Sequence, residues 1–278
     1  MARVAVVTGG NQGLGLALVR GLCAALEPGD IVYLTARSEA RGRAALAEIG
    51  PVAPDLRFER IDVTDTATVA AAAGAMQARH GGVDIVISNA AARIGRETAP
   101  ADQVAAFVDT NNHGTCRMLA HFLPILRRDA RFLVVASSFG RLQLLPTHLH
   151  PLFDVATASL DGIEAAMEGY AAALRGGTAA AEGWPEWINV PSKIGQVASA
   201  KVAARLVQAE RPHDGILVNA VCPGLIDTEA SRPWFDDMSS AQSPEQAAVD
   251  VLWLALLPGG AAQPQGELVQ FRKVLSWR

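Results

Sequence analysis

Residues Thr8-Gly9-Gly10-Asn11-Gln12-Gly13-Leu14-Gly15 follow the apolar run Val4-Ala5-Val6-Val7 and open into Leu16-Ala17-Leu18-Val19-Arg20-Gly21-Leu22. An apolar strand, a glycine-rich turn and an amphipathic helix in this order leave few ways to fold. Gly13 and Gly15 present no side chain, so a ligand can approach the backbone closely where the helix begins. The first N–H groups of a helix lack intrahelical partners and sit at the positive end of its dipole, which favours a pyrophosphate. A glycine pattern alone would equally serve a tight turn that binds nothing. Here it stands at the first strand–helix junction with a βαβ pattern behind it, so Gly9, Asn11, Gln12, Gly13, Leu14 and Gly15 are read as one side of a dinucleotide site.

The alternation continues. Ile31-Val32-Tyr33-Leu34-Thr35 predicts a second strand, ending in Ala36-Arg37-Ser38 before a helix that carries Arg41. A dinucleotide fold places the adenosine ribose at this strand end. An acid there holds the 2′-hydroxyl of NAD, and an arginine suits the 2′-phosphate of NADP. No acid occupies position 36 or 37, so Arg37 and Arg41 are expected to clamp a 2′-phosphate with Asn11 on its other side; the alternative is two solvated surface arginines. Leu56 to Ile61 predicts a third strand, ending at Asp62-Val63. Asp62 either accepts from an adenine amino group or caps the helix that starts near Asp65.

A helix follows over 66–78, then a strand Val83-Asp84-Ile85-Val86-Ile87 closing on Ser88-Asn89-Ala90-Ala91. A long helix containing Asn111, broken near Pro124, leads to the strand Phe132-Leu133-Val134-Val135-Ala136, which delivers Ser137-Ser138 at the edge where open α/β sheets bind ligands. Between Gly140 and Pro191 the pattern changes, with Pro146, His148, His150 and Pro151, an amphipathic segment over 156–174, and Trp184-Pro185-Glu186-Trp187; this stretch is read as an insert or lid, 140–191. A helix over 192–210, a strand over 216–221, the loop Cys222-Pro223-Gly224, a helix over 244–256 and a short strand near 267–269 complete the chain. The expectation is one α/β domain over 1–278, a doubly wound parallel sheet of Rossmann type with strand order 3-2-1-4-5-6-7.

Composition excludes several classes. Half of the residues are hydrophobic and 19% charged, which suits a sizeable core, and a net charge of −4 argues against nonspecific nucleic-acid binding. No run of about 18 apolar residues is present to span a membrane. Met1-Ala2-Arg3 runs directly into the first strand without a signal peptide, so a cytoplasmic location is expected. Cys23, Cys116 and Cys222 are widely spaced and read as reduced, buried thiols with no metal site. The excess of arginine over lysine and the abundance of alanine hint at a GC-rich bacterial genome.

With these residues in view, the chain resembles the short-chain dehydrogenases/reductases over nearly its whole length, and within them most of all the monomeric carbonyl reductases. Thr8–Gly15 matches that family's cofactor turn, Leu34–Arg37 its NADP-type second strand, and Asp62 its adenine-side acid. Ser88-Asn89-Ala90-Ala91 partly matches its Asn-Asn-Ala-Gly segment. Asn111 matches the asparagine that supports the family's proton relay, Ser138 the catalytic serine, and Ser192-Lys193-Ile194-Gly195 the end of the Tyr-x-x-x-Lys motif. Pro223-Gly224-Leu225-Ile226-Asp227-Thr228 matches the loop that orients the nicotinamide carboxamide. The insert ending in Glu182-Gly183-Trp184-Pro185 resembles the carbonyl-reductase insert, which implies a monomer. The resemblance implies NADPH as cofactor, with Val63, Asn89 and Ala90 beside it and Lys193 on its ribose.

One residue departs from the pattern. The family's tyrosine stands four residues before the lysine, where this chain has Asn189, and no tyrosine lies between Trp184 and Lys193. Hydride transfer to an ordinary ketone builds an alkoxide that needs a positioned acid. An asparagine amide donates a hydrogen bond to an oxyanion but gives up no proton at neutral pH. The leading expectation is therefore a reductase whose acceptor needs no strong acid, such as a quinone, reduced to a weakly basic dihydroquinone. Ser138, Asn189 and Lys193 would serve as hydrogen-bond donors, Asn111 and Thr228 would help fix the nicotinamide end, and water would supply the proton. Trp184, Trp187 and Trp234 could stack a flat ring, or simply pack within a lid. A bacterial anthraquinone polyketide, primed for hydroxylation by O₂ with or without a partner oxygenase, is the substrate this reading suggests. Two alternatives stand beside it. One is a carbonyl reductase with a relocated acid, the candidates being His113, His148 and His150; the last two could also approach a metal, though no third ligand is evident. The other is an NADP-binding pseudoenzyme or partner subunit.

Overall fold

The structure, a computed structural model, describes residues 2–278. Met1, part of the expected leaderless start, lies outside the described residues. Strands β1 (Val4–Val7), β2 (Ile31–Ala36), β3 (Asp55–Arg60), β4 (Val83–Ser88), β5 (Leu126–Val135), β6 (Leu217–Cys222), β7 (Leu268–Gln270) and β8 (Lys273–Leu275) form one sheet in the order β3-β2-β1-β4-β5-β6-β7-β8. All neighbours run parallel except β7 and β8. Strands β1, β2 and β6 are buried along their whole length, as expected for a sheet covered on both faces.

On one face lie α1 (Gly13–Ala25), α2 (Glu39–Ile49) and α8 (Pro244–Ala255), joined in a core through Leu18, Leu22 and Val251. On the other lie α3 (Thr66–His80), α5 (Gly114–Phe122) and α7 (Asn189–Glu210), packed through Met76, Phe122 and Val197. A third core forms where α6 (Leu160–Arg175), within the insert, covers α4 (Pro100–Val108) and α7, with Phe107, Phe153, Met167 and Tyr170 inside it. The order of strands reverses between β1 and β4, the point at which open α/β sheets commonly bind ligands. Among the described residues no helix is long and apolar enough to cross a membrane.

Four local features differ from the sequence expectation. Strand β5 begins at Leu126 rather than Phe132, because its charged start pairs through a shifted register with β4 between Val83 and Ile85. There the buried Arg131 donates to the carbonyls of Asp129, Ala130, Gly215 and Pro258, which tie the strand's base to two loops. Helix α7 begins at Asn189 rather than Ser192, since Pro191 falls in the first turn, where its missing N–H has no helical partner to lose. Asn111 sits in a π-turn, Asp109–His113, between α4 and α5 rather than in one long helix. The antiparallel edge strand β8 has no counterpart in the sequence expectation: it is only three residues long, two of them exposed, and shows no alternation.

Candidate active site

The cofactor turn is built by backbone geometry. Gly9 and Gly13 take φ of 62° and 52°, a region that L side chains rarely enter. A Cβ on Gly15 would fall 2.1 Å from the carbonyl oxygen of Gly9. Gln12 leads α1 with no side-chain capping bond, so the first N–H groups of the helix remain free for an anion. Asn89 braces the turn: its Nδ2 donates to Thr8 O at 2.9 Å, while the N–H groups of Asn89 and Ala90 donate to Thr8 Oγ1 at 2.8 and 2.9 Å.

Arg37 leaves the end of β2 and Arg41 stands in the first turn of α2; both are exposed, and neither guanidinium has a partner among the described residues. Of the two readings of Asp62, the helix cap goes elsewhere: Asp65 caps α3 by accepting from Ala67 N at 3.0 Å. Asp62 Oδ1 accepts from the N–H and hydroxyl of Thr64, and Oδ2 has no partner among the described residues. Val63 is buried next to it and accepts from Arg117 through its carbonyl. A close backbone cradle, an uncapped helix start and two unpaired arginines together fit a phosphorylated dinucleotide.

Beyond the turn, a cavity of about 430 Å³ opens at the ends of β4, β5 and β6. It brings together Asn111, Ser138, Asn189 and Lys193, with Gly224, Ile226 and Thr228 along one wall. Pro223 supports that wall by accepting from Gln242 Nε2. Asn189 and Lys193 are four apart on α7 and so share a face. Ser138 opens a short 3₁₀ turn held by Ser137, whose hydroxyl accepts from Phe139 N. Asn111 is 1% exposed; its Oδ1 accepts from Ala92 N at 2.8 Å, and its Nδ2 donates to Ser192 Oγ at 3.4 Å. Lys193 Nζ donates to Gln196 Oε1 at 2.7 Å and to Val135 O at 3.4 Å. Burial pulls its pKa down to about 8, against a small opposing effect of Cys222.

The tryptophans divide. Trp187 and Trp234 line the cavity with ring centroids 6.1 Å apart and planes at 32°, already in contact, so a substrate ring would stack on the pair rather than between its members. Trp184 is instead 6% exposed and packs against Tyr170 and Phe153 in the third core. No histidine lines the cavity among the described residues. His113 turns to Glu164 on α6, His148 bonds Glu182 O, and His150 bonds Leu145 O. No group of metal-ligating side chains forms among the described residues. Tyr170 is fully buried in α6, its phenol pushed up by burial, and Tyr33 bonds His80. Sequence reasoning missed Gln196, whose only signal is a polar side chain on the inner side of a buried helix.

Fold and site together define a dinucleotide-binding α/β protein whose cavity lies at the ends of β4, β5 and β6, beside the glycine-rich turn that follows β1. The short chain dehydrogenase family profile matches residues 3–146, and the chain belongs to that family. It is 33% identical to carbonyl reductase (NADPH) 1 of Homo sapiens over 278 residues, covering 99% of this chain and 98% of the relative. It is 31% identical to carbonyl reductase (NADPH) 3 of Mus musculus over 280 residues, covering 99% of each. Among solved structures, salutaridine reductase from Papaver somniferum superposes with a TM-score of 0.79 at 22% identity, covering 96% of this chain and 99% of that one. An actinorhodin polyketide ketoreductase with NADPH gives 0.62 at 23% identity, covering 97% of this chain and 95% of that one. The last two likenesses speak to the fold.

Proposed function

We propose that this chain is an NADPH-dependent reductase of a quinone-like aromatic acceptor, with a bacterial anthraquinone polyketide as the substrate type and a dihydroquinone as product. The observation that carries this reading is Asn189: the cavity holds Ser138, Lys193 and Asn111 yet neither a tyrosine nor a histidine among the described residues. The full-length likeness to NADPH-named carbonyl reductases supports the cofactor. Bound across the strand ends, the cofactor would supply a hydride. The backbone of residues 9–15 would hold its pyrophosphate, Arg37 and Arg41 its 2′-phosphate, and Asp62, Val63, Asn89 and Ala90 would flank the adenosine half. Lys193, Asn111, Ile226 and Thr228 would fix the nicotinamide half. Ser138 and Asn189 would polarise the acceptor oxygen, and the Trp187–Trp234 pair would offer a flat apolar surface. The insert covers helical surface on α4 and α7, which supports a monomer. An electron-rich product could react onward with O₂, alone or with an oxygenase.

Two measurements test the reading. NADPH oxidation is followed anaerobically against a simple-ketone panel and a polycyclic-quinone panel. Turnover confined to quinones is expected, and turnover of ketones alone would overturn the acceptor class. In Ser138→Ala, quinone kcat should fall about 10²-fold, the usual cost of one oxyanion donor; an unchanged rate would remove Ser138 from the site. Tight NADPH binding with no turnover of either panel would favour the pseudoenzyme.

Cofactor choice gives a separate expectation. Arg37→Ala and Arg41→Ala should each raise the KM for NADPH about 10-fold or more, as loss of a charge-assisted hydrogen bond does. The KM for NADH should move little, because NADH has no 2′-phosphate. Equal effects on both cofactors would place the arginines elsewhere.

A further inference from the structure

With no tyrosine at position 189, the proton that completes reduction needs another source. We propose that Lys193 donates it to the reduced acceptor, and that Gln196 is the positioning residue that aims the ammonium; this rests on the reductase reading above. Lys193 Nζ has two protein partners, Val135 O and Gln196 Oε1, and both only accept. An ammonium has three donors, so one N–H remains for the cavity that Lys193 lines.

Gln196 is itself locked. Its Nε2 donates to Thr115 Oγ1 at 3.1 Å, and that hydroxyl donates to Asn111 O at 2.6 Å. Gln196, Thr115 and Asn111 are each at most 2% exposed. Flipping the Gln196 amide would press its NH₂ against the ammonium, so the direction of every bond in the chain is fixed. The network suits both protonation states. Neutral Lys193 still has two N–H groups for its two acceptors, and its lone pair then faces the cavity. An amide N–H is no acid at neutral pH, so proton exchange runs through the cavity and not through α5.

NADPH, when bound, would supply the hydride, a two-electron reduction that would leave an oxyanion on the acceptor. An N–H bond of Lys193 breaks and an O–H bond forms, directly or through one intervening hydroxyl. The neutral amine regains a proton from solvent once product leaves. A dihydroquinone anion persists long enough to be protonated in this way.

The surroundings of Lys193 hold few titratable groups. Strand β6 brings Cys222, while β5 offers a carbonyl, the π-turn Asn111, α5 Thr115 and the 3₁₀ turn Ser138. His113 is turned to Glu164 and Glu168 on α6, and Arg93 at the cavity rim pairs with Glu229. The lowered pKa near 8 makes the ammonium a competent acid for a phenolate.

The chain has three lysines, Lys193, Lys201 and Lys273, so selective ε-carbon labelling gives a readable NMR titration. The full-length protein saturated with NADP⁺ is used, and the Lys193 signal is the one lost in Lys193→Arg. It should titrate at a value well below that of an ordinary lysine, as burial directs. Reduction requires the charged form, so kcat/KM for a polycyclic quinone should be level at lower pH and fall as pH rises through that value. Gln196→Glu places a carboxylate against the ammonium and should move both the NMR titration and the kinetic limb up by a pH unit or more. Lys193→Arg keeps the charge but cannot release a proton; at saturating NADPH it should lose the limb and turn over about 100-fold more slowly. Lys193 titrating at an ordinary lysine value, or Gln196→Glu moving neither readout, would overturn the positioning role. A flat pH profile with normal turnover, or an active Lys193→Arg, would overturn the donor role alone. A wild-type protein that reduces no acceptor would remove the reductase reading and the donor role with it.

Discussion

Asn189→Tyr is expected to raise the turnover of simple ketones by about 10²–10⁴-fold, the usual contribution of a positioned general acid. Quinone turnover should change little. Position 189 lines the cavity one helical turn before Lys193, so a phenol there would sit beside the ammonium, whose charge favours the phenolate and strengthens the acid. Pro191 already occupies the first turn of α7, and the substitution asks nothing new of the backbone. The two acceptors separate because of what they become. A ketone passes through a strongly basic alkoxide that forms only with an acid in contact. A quinone becomes a stabilised, weakly basic anion that takes its proton later and from further away, within reach of Lys193. Asn189→Phe is the control, since it adds a ring without an acid. Steady-state kcat/KM on both panels decides the matter. Equal gains from tyrosine and phenylalanine would mean that position 189 acts by shape, and no gain from tyrosine would mean that the missing acid does not limit ketone reduction.

The features that specify the fold are local, and local features can be read from sequence. The change from strand run to helical spacing across residues 4–22 is visible because the two periods differ, and the glycines mark where no Cβ fits. Ser138 and Lys193 were legible through motif spacing, and the structure brings them to one cavity. What stayed hidden depends on contacts made far along the chain. Trp184 reads like Trp187, yet the third core claims it while its neighbour reaches the cavity. The π-turn at Asn111 follows from no propensity of Asp109–His113; it places Asn111 between Ala92 and Ser192, partners 19 and 81 residues away. Gln196 gains its meaning only from Thr115 on another helix.

Gly15→Ala should abolish measurable NADPH binding and lower the melting temperature, although it adds a single methyl group. The new Cβ would meet Gly9 O at 2.1 Å and Asn89 Nδ2 at 2.7 Å. Neither neighbour can retreat. Gly9 sits between Thr8, whose N–H donates to Ile87 O, and Gly10, whose N–H donates to Thr35 O, and Asn89 Nδ2 is bonded to Thr8 O. The clash is therefore relieved by moving the turn away from α1, which dismantles the cradle and costs about 1–3 kcal/mol of stability, as overpacking commonly does. Gly74→Ala provides the comparison. Gly74 lies inside α3, exposed, and a Cβ there meets nothing within 4 Å. Its substitution should stabilise by about 0.5–1 kcal/mol, because alanine loses less backbone freedom than glycine in a helix. One chemical change thus acts with opposite signs at two glycines, and thermal melts with NADPH titration by fluorescence read both. A Gly15→Ala protein that binds NADPH as the wild type does would show that the cofactor does not lie against this turn.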